Sequence, residues 1–385
     1  MIESWGFYIM TPEDYVRTAA ELTPAAMEDA FEHWMDILAR TEEWGFDGLS
    51  FAEHHFLPDS LIPSPHIAIA ALISKTTRLR FTTAGSVLSL HHGWRYAAEV
   101  AMLRYLSKGR FEPGVAPGSG PTETILAGYP GEEARPRYES GVTLLELALT
   151  GKPVTLHDDF YKLDNLEIVP RWEPTGPQEP VWATVLSPES AVRTAERGWK
   201  LLTGWVPINM ASAIAARYCE AAEACGHSTD PSMLGLRRRV FVAETDAEAR
   251  EKFEAAQNLV PVLLRMEGSQ MELADPRIRN LLDNPEDYVI GSPETVAEKL
   301  IDQCRVGGFG ALFAWADFAS FRWADLARSH ELFGTRVAPL LRSAHVDSAA
   351  TRTRDAETDE AAALAFQVNR AGVQGDITQV RRGGA

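Results

Sequence analysis

The segment DGLSFAEHHF, Asp47–Phe56, begins as a short apolar strand and ends in three titratable side chains. The helical pattern of Pro24–Glu43 precedes it, so the chain runs here from a helix into a strand, Gly48–Ala52. A strand that ends in Glu53 and two adjacent histidines must place them in solvent, in a pocket or against each other. If the surrounding helix–strand unit is repeated, it builds a parallel sheet.

The unit does recur along the chain. Eight apolar runs rich in Val, Ile, Phe, Leu and Trp alternate with segments of helical period, which predicts βαβ units. The predicted strands are Trp5–Ile9, Gly48–Ala52, Leu79–Thr83, Phe111–Ala116, Val181–Val185, Lys200–Thr203, Leu234–Ala243 and Ala311–Ala316. The predicted helices are Pro24–Glu43, Pro65–Lys75, Trp94–Ser107, Arg135–Thr150, Pro188–Arg197, Ala211–Cys225, Asp246–Leu259, one beginning in Gly291–Leu300, and Trp323–Leu341. Eight strand–helix repeats predict an α/β fold of the (β/α)8 TIM-barrel type rather than an open sheet.

Two insertions interrupt the repeats. The first, Pro153–Pro170 after the fourth helix, has two short alternating runs and predicts a β-hairpin laid over the barrel. The second, Pro261–Tyr288 after strand 7, has little periodicity and predicts a long loop of the kind that serves as a lid. We therefore expect one barrel domain over residues 1–343 and a polar tail over 344–385 that is disordered or docked on a partner.

The composition is that of an ordinary globular protein, with 45% of 385 residues hydrophobic and 24% charged. The formal net charge is −17, from 54 acidic and 37 basic residues, and it argues against nucleic acid or an anionic membrane as a partner, because both would be repelled. The three cysteines form no Cys-x-x-Cys pair, and no run has the length of a signal peptide or membrane span. We expect a cytoplasmic protein.

The ends of the strands are the places to look for chemistry, because the loops there converge on one mouth of a TIM barrel. Strand 3 ends in Ala84 and Gly85, which are small enough for a flat ring to press against the backbone; the alternative is tight barrel packing. Strand 4 ends in GVAPGSGP, Gly114–Pro121, where Gly118 and its neighbours would let a cofactor approach closely. This stretch matches neither the dinucleotide-binding fingerprint nor the phosphate-binding Gly-Lys-Ser/Thr loop, and a flexible connection explains it equally well.

Strand 5 ends at a helix start, SPES. Ser187 has the sequence context of an N-cap, with Pro188 at the first helical position. The free backbone N–H groups of such a helix start, together with the hydroxyls of Ser187 and Ser190, form a plausible cradle for a phosphate. The alternative is that Ser187 only caps its own helix.

The histidines after strand 2 lack the spacing of metal ligands, and we expect no metal. A histidine at a barrel mouth is suited to moving protons, so His54 is the candidate, with Glu53 orienting its ring or holding its charge. The alternative is a structural histidine. A second pair, His91 and His92, either lines the same mouth or packs on Trp94.

Several stretches together resemble the bacterial luciferase-like flavin monooxygenases. They are EEWGFDGLSFAEHHF, TTRLRFTTAGSVLSLHH, AAEVAMLRYLSKGRFEPGV, SPESA, GSPETVAEKL and ELFGTRVAPLLR. The resemblance implies a TIM barrel, commonly a homodimer, that receives reduced FMN from a separate flavin reductase. It also implies that O2 forms a flavin peroxide, which oxygenates a hydrophobic organic substrate by Baeyer–Villiger reaction, hydroxylation or epoxidation.

The resemblance also assigns roles by position. The matching residues are Glu53, His54, Ala84, Gly85, Ser187 and Ser190. It implies that the first two handle protons beside the flavin and that the small pair contacts the isoalloxazine ring, where the family often has an irregular and sometimes cis peptide. The two serines would hold the FMN phosphate.

Two departures from the family pattern affect this interpretation. Pro117 stands where some members have an arginine for the phosphate, so phosphate binding must depend on the helix start after strand 5, or on an arginine from elsewhere such as Arg135 or Arg137. Leu186 replaces the acid of luciferase subunits, so light emission is not expected.

Two rival functions stay open. One is a deazaflavin-dependent hydride-transfer enzyme, whose relatives more often have aspartate at the position of Glu53. The other is a non-catalytic flavin-binding partner subunit. The substrate is not specified by the sequence, although an apolar mouth could be formed by aromatic residues, each of which is as well explained as core. These residues are Phe7, Tyr8, Trp94, Trp205 and Trp315.

Overall fold

Parallel strands, each followed by a helix, make up most of the molecule. The computed structural model describes residues 1–14, 19–58, 60–118, 123, 126–176, 181–256 and 284–349. Its strands are β1 Glu3–Tyr8, β2 Gly48–Phe51, β3 Arg80–Thr83, β4 Ser86–Val87, β5 Phe111–Glu112, β6 Gly114–Ala116, β7 Val154–His157, β8 Lys162–Leu166, β9 Trp182–Thr184, β10 Lys200–Gly204, β11 Leu234–Val242, β12 Tyr288–Gly291 and β13 Ala311–Trp315. Its helices are α1 Pro24–Trp44, α2 Pro65–Ile73, α3 Gly93–Ser107, α4 Ala134–Leu149, α5 Pro188–Glu196, α6 Ile208–Cys225, α7 Asp246–Ala255, α8 Pro293–Gly307, α9 Trp323–Leu332 and α10 Ala338–Ser343, with a π-helical turn at Phe333–Val337.

The main sheet is parallel and curls through the order β4-β6-β9-β10-β11-β13-β1-β2-β3-β5. The sheet begins at β4, which pairs with β6, and ends at β5, which pairs with β3. Since β3 is followed by β4 along the chain, and β5 by β6, the two terminal strands belong to neighbouring chain segments. The order is consistent with the predicted TIM barrel.

All eight predicted strand regions contain strands, but the fourth is divided at Pro113, which lacks the N–H group that a central strand needs. The third, β3, ends at Thr83, and after Ala84 and Gly85 the chain forms β4, which was not predicted. A further strand, β12, pairs in parallel with β11 just after the segment predicted to be a long loop. It was not predicted, because its four residues follow a stretch without periodicity.

Three helices begin with the same local arrangement, in which a capping hydroxyl is followed by proline. The side chains of Thr23, Ser187 and Ser292 each accept a hydrogen bond from a backbone N–H in the first turn of α1, α5 and α8. The proline suits the first helical position because its missing N–H would have no partner there. The sequence therefore fixes where these helices start.

An aromatic layer fills the inner face of the curled sheet. Trp5, Trp182 and Phe313 come from β1, β9 and β13, and their ring centroids lie 5.0 to 6.1 Å apart. Because β9 is separated from β13 by two strands, this contact runs across the interior. We call these three rings the aromatic floor. Inward-facing residues nearer the C-terminal ends of the strands lie above it.

The two predicted insertions have different outcomes. An antiparallel pair, β7 and β8, occupies the segment predicted to be a hairpin. It packs on the barrel flank, where the hydroxyl of Tyr161 accepts a hydrogen bond from Gly93 N at the start of α3 (2.8 Å). Most of the predicted long loop, 261–283, lies outside the described residues.

The predicted boundary at residue 343 is too early. Val346 and Ala349 are buried, and the hydroxyl of Ser348 donates to Thr229 O (2.8 Å). The first residues of the predicted tail therefore pack on the barrel, because they include apolar side chains; residues 350–385 lie outside the described part of the chain. In the described residues, no helix combines the length and apolar character needed to cross a membrane.

Candidate functional site

The carboxylate of Glu53, just after β2, is buried and hydrogen-bonded on both oxygens. It accepts hydrogen bonds from His55 Nε2 (2.8 Å), from His91 Nε2 (2.9 Å) and from Val87 N (3.0 Å). Burial opposes ionisation, but the hydrogen bonds from His55 and His91 outweigh it and lower the pKa of Glu53 to about 2. The prediction that Glu53 orients His54 is wrong in this respect, because its imidazole partners are His55 and His91.

His54 differs from its neighbour in its surroundings. Its backbone N–H donates to Ile62 O (3.3 Å), and its imidazole forms no hydrogen bond with a described residue. Burial lowers the pKa of His54 to about 4, although the charge of Glu53 acts in the opposite direction. The ring is therefore neutral near pH 7, with one N–H donor and one acceptor nitrogen for a ligand at the barrel mouth.

The second histidine pair is divided between the two interpretations left open above. His91 binds Glu53 and so belongs to the mouth. The ring of His92 instead stacks on Trp94, with centroids 6.0 Å apart. Only the first of the pair joins the cluster around Glu53.

Ala84 and Gly85 connect β3 to β4 and lie between β2 and β6. The peptide bond that joins them is cis, and Ala84 N donates to Phe51 O (2.8 Å). A Cβ atom at Gly85 would lie 2.4 Å from the backbone carbon of Val115, so no larger residue fits there. Packing thus explains the glycine, and contact of the pair with a cofactor ring stays a prediction.

Gly118 follows β6 and brings the chain there against β4. Its φ is +89°, a left-handed conformation that favours glycine, and a Cβ atom would lie 2.8 Å from Val87 Cγ1. Since Val87 N of β4 also donates to Glu53 after β2, the C-terminal ends of β2, β4 and β6 are in mutual contact. A role for Gly118 in cofactor binding stays a prediction.

The start of α5 is capped by Ser187, and Ser190 lies beside an arginine. Ser187 Oγ accepts a hydrogen bond from Ser190 N (3.3 Å), so the capping interpretation is confirmed. Ser190 Oγ accepts from Ser187 Oγ (3.2 Å) and from Arg193 Nη2 (3.1 Å). Ser187 is occupied as a cap, and Ser190 is the serine that a ligand would meet together with an arginine.

A small basic pocket lies beside Ser190. Its lining includes the arginines Arg135, Arg193 and Arg197, together with Ser190, Pro117 and the carboxylate of Glu139, which lies 2.5 Å from Arg135 Nη2 and 3.3 Å from Arg197 Nη2. Arg193 Nε has no hydrogen-bond partner among the described residues, and the nearest ion-paired oxygen, Oε1 of Glu139, is 3.6 Å away. Burial and the charge of Arg135 lower the pKa of Arg193. The pocket therefore has unused donor capacity for an anion.

The structure separates the two arginines named as alternatives for the phosphate. Arg135 lines this pocket, whereas Arg137 pairs with Glu133 (2.7 Å) and lies over the ring of Tyr129. Arg193 was not predicted. The signal was available, because a residue three positions after Ser190 lies on the same side of the helix.

Two arginines inside the barrel were also missed. Arg237 and Arg239 of β11 are 2% and 1% exposed, and both pair with Oδ2 of Asp287, at 3.4 and 2.5 Å. Burial lowers the pKa of Arg237 to about 9. The signal was the charged triplet RRR within the predicted buried strand LGLRRRVFV, because burial of charged side chains is unfavourable unless they are paired with an opposite charge.

The aromatic residues predicted at the mouth separate into two groups. Phe7 and Trp205 both contact Trp315 inside the barrel, with centroids 5.8 and 5.3 Å away. Tyr8 instead stacks on His330 in the layer between sheet and helices, and Trp94 lies at the surface. Across the described ranges, no group of three or more His, Cys, Asp or Glu side chains could hold a metal ion.

Comparison with known proteins identifies the family of the chain. The family model described as luciferase-like monooxygenase matches residues 13–309. A curated relative, 4-hydroxyprotoasukamycin monooxygenase of Streptomyces nodosus subsp. asukaensis, is 26% identical over 343 residues, which cover 83% of this chain and 89% of the relative. Another, 2,5-diketocamphane 1,2-monooxygenase 2 of Pseudomonas putida, is 24% identical over 77% of this chain and 90% of the relative.

Solved structures share the fold. The oxygenating constituent of 3,6-diketocamphane monooxygenase from Pseudomonas putida, a type II Baeyer–Villiger enzyme in complex with FMN, matches with a TM-score of 0.71 and 21% identity over 90% of this chain and all of that chain. An F₄₂₀-dependent secondary alcohol dehydrogenase matches with a TM-score of 0.68 and 16% identity over 89% of this chain and 99% of that chain. At these identities the structural likeness shows the fold alone.

Proposed function

The chain belongs to the luciferase-like monooxygenase family and is a flavin monooxygenase, and from this premise we propose that it uses reduced FMN and O2 to oxygenate an organic substrate. The observation that carries the proposal is the chain of contacts at the barrel mouth. His54 and Glu53 follow β2. Val87 of β4 donates a backbone hydrogen bond to Glu53, and Gly118, after β6, packs against Val87. Pro117, beside Gly118, lines the basic pocket with Ser190.

The residues present fit the phosphate of FMN. Arg193 has an unpaired Nε, and Arg135 and Ser190 line the same pocket at the N-terminus of α5. A helix start with nearby guanidinium groups favours a dianionic phosphate. We propose that these three residues hold the phosphate, while Ser187 shapes the helix start.

Bound reduced FMN would supply the two electrons with which one atom of O2 is transferred to the substrate and the other is released as water. The residues of this chain control protons and water around it. The neutral imidazole of His54 would hold or accept a proton at the mouth, and Glu53 would fix His55 and His91 beside it. We propose His54 as a catalytic residue and Glu53 as a positioning residue.

We also propose that a separate flavin reductase supplies the reduced FMN. The solved structure of 3,6-diketocamphane monooxygenase is named an oxygenating constituent, which supports a division of labour of this kind.

A homodimer is proposed from the surface. Ile67 of α2 and Met102, Tyr105 and Leu106 of α3 are half or more exposed, and the three residues of α3 lie on one face of the helix. Neighbouring apolar side chains of this kind indicate a protein interface. A second copy of the chain would cover them.

An anaerobic titration tests the cofactor. Protein is titrated with reduced FMN, reduced riboflavin and a reduced deazaflavin, and the dissociation constants are compared. Because riboflavin lacks the phosphate, we expect FMN to bind at least about tenfold more tightly, as charge-assisted hydrogen bonds would require. Arg193→Gln should remove most of this difference, and Arg217→Gln, an exposed arginine on α6, should retain it. Equal affinity for FMN and riboflavin, or preference for the deazaflavin, would contradict the proposal.

A further inference from the structure

We propose that the substrate is an organic anion whose carboxylate, or a comparable planar oxyanion, is bound inside the barrel by Arg237 and Arg239. This inference rests on the proposed function, because it names the substrate class of the same site. It begins from the position of the two arginines on β11.

The register of the sheet places both guanidinium groups in the barrel interior. Arg237 and Arg239 lie opposite Phe313 and Trp315 of β13, and Phe313 belongs to the aromatic floor. Arg239 therefore lies one layer above this floor, towards the mouth. Arg238, between them, faces outward and donates from Nε to Gln303 Oε1 of α8 (2.6 Å).

The interior around this pair has an excess of hydrogen-bond donors. Among the described residues no hydrogen-bond partner exists for Arg237 Nε and Nη1, for Arg239 Nε and Nη2, or for Trp315 Nε1. Asp287 Oδ1 is also unpartnered, but it is one acceptor atom against five donor atoms. The hydroxyl of Ser50, which is level with Phe7 in the register, is also unpartnered. Buried donors are rarely left unpaired, so their concentration in one place indicates a missing acceptor.

The charges lead to the same conclusion. Asp287 is the one carboxylate that forms ion pairs with Arg237, Arg238 and Arg239 in the described part of the chain. All three guanidinium groups are buried, so within the described residues one ion-paired carboxylate faces three buried cations. Such charge is unfavourable unless an anion joins it. A ligand carboxylate would supply both the charge and the acceptor oxygens.

The walls of the site suit an apolar or aromatic body attached to the acid. The guanidinium of Arg237 lies 4.3 Å from the ring centroid of Trp205 and 4.9 Å from that of Trp315, and the guanidinium of Arg239 lies 5.0 and 5.1 Å from the same rings. Stacked guanidinium groups keep their planar edges free for in-plane hydrogen bonds. The neighbouring strand makes room for this, because a Cβ atom at Gly204 would lie 2.9 Å from Arg237 Nε.

The donors are distinct from those proposed for the FMN phosphate. The arginines of the phosphate pocket come from α4 and from α5 with its C-terminal end, whereas Arg237 and Arg239 belong to β11 and face the interior. The two anion sites can therefore be tested separately.

The test compares an acid with its neutral counterpart. Binding of 2-naphthoate and 2-naphthamide is measured by isothermal titration calorimetry on the full chain, without flavin and with FMN present. The same samples are tested for binding of reduced FMN by anaerobic titration. Arg239→Gln removes half of the clamp, and Arg238→Gln is the matched control, since it removes an equally buried arginine that faces outward.

We expect the wild type and Arg238→Gln to bind the acid about tenfold or more tightly than the amide, and Arg239→Gln to reduce this preference to about threefold or less. The preference should persist with FMN bound. Equal binding of acid and amide by the wild type overturns the inference, and this comparison does not depend on whether a variant folds. So does an unchanged preference in Arg239→Gln, or displacement of the acid by FMN, which would assign the donors to the flavin. Acid preference without any FMN binding supports the anion site and contradicts the proposed function.

Discussion

Adjacent side chains after β2 have different chemistry because their partners differ. Glu53 is ionised because two imidazoles and a backbone N–H stabilise its charge, whereas burial keeps His54 neutral. The sequence predicted both residues at the site but paired them with each other. Successive side chains of an extended segment point to opposite sides, which favours His55, two residues from Glu53, as its partner. His91, 38 residues away, could not be found without the fold.

Replacement of Glu53 should have a pH-dependent effect on stability. Its folded-state pKa of about 2 lies below the ordinary value of 4.5, so its ionised form stabilises the fold above pH 4.5, and this contribution is lost as the pH falls towards 2. Glu53→Gln should therefore lower the free energy of unfolding by about 3 kcal/mol at pH 7, and by less at pH 3. Urea denaturation across this pH range measures it. A deficit that does not change with pH would contradict the assignment.

Replacement of His54 should separate binding from turnover. We expect His54→Ala to bind FMN within about threefold of the wild type but to lose substrate oxygenation by a factor of about a hundred or more, because general acid–base catalysis is typically of this size. His92→Ala, which removes a ring stacked on Trp94, is the control and should be near wild type.

The pKa of about 4 adds a second expectation for His54. In the wild type, the activity limb due to protonation of His54 should fall near pH 4 rather than near 6.5. A pH profile of substrate oxygenation measures its position. Unchanged turnover in His54→Ala would remove the residue from the mechanism.

At the scale of elements, local patterns located the strands and helices well. Apolar runs gave all eight barrel strands, and a capping hydroxyl before proline gave the start of α5. The spacing of three residues could have placed Arg193 beside Ser190, but no local pattern shows that Arg135 joins them, because that pocket forms only when α4 and α5 pack together. Nor could local patterns place the arginines of β11, whose surroundings come from three other strands.

Two equivalent caps allow the role of the α5 start to be isolated. Ser187 and Ser292 occupy the same SPE context and cap α5 and α8 in the same way. Replacing either by alanine should cost about 1 kcal/mol of stability, measured by chemical denaturation. Only Ser187→Ala should also weaken FMN relative to riboflavin, because it disturbs the serine bonded to Arg193. Equal effects of the two variants on FMN binding would show that the α5 start is structural only.

At the scale of the whole molecule, the count of strand–helix repeats predicted the class of fold. The sheet order and the aromatic floor then explain why the mouth is the site: the floor closes the interior below, and the strand ends contact one another above it. The basic interior also modifies the expectation of a purely hydrophobic substrate. Those charges were visible in the sequence, but their direction was not.

The proposed dimer is a prediction at the same scale. Met102→Glu combined with Leu106→Glu places two charges on the exposed apolar face of α3, so the pair should convert a dimer into a monomer. Light scattering coupled to size exclusion measures the mass. The control is Glu220→Lys on α6, away from this face. A wild type with the mass of a single chain would contradict the proposal.

The central claim is that the segments after β2, β3, β6 and β9 together hold one FMN. A crystal structure of the protein soaked with FMN tests it most directly. The account predicts the isoalloxazine ring beside Ala84 and His54, and the phosphate within hydrogen-bond distance of Ser190 and Arg193. An FMN bound elsewhere on the molecule, or a phosphate that contacts neither residue, would contradict it.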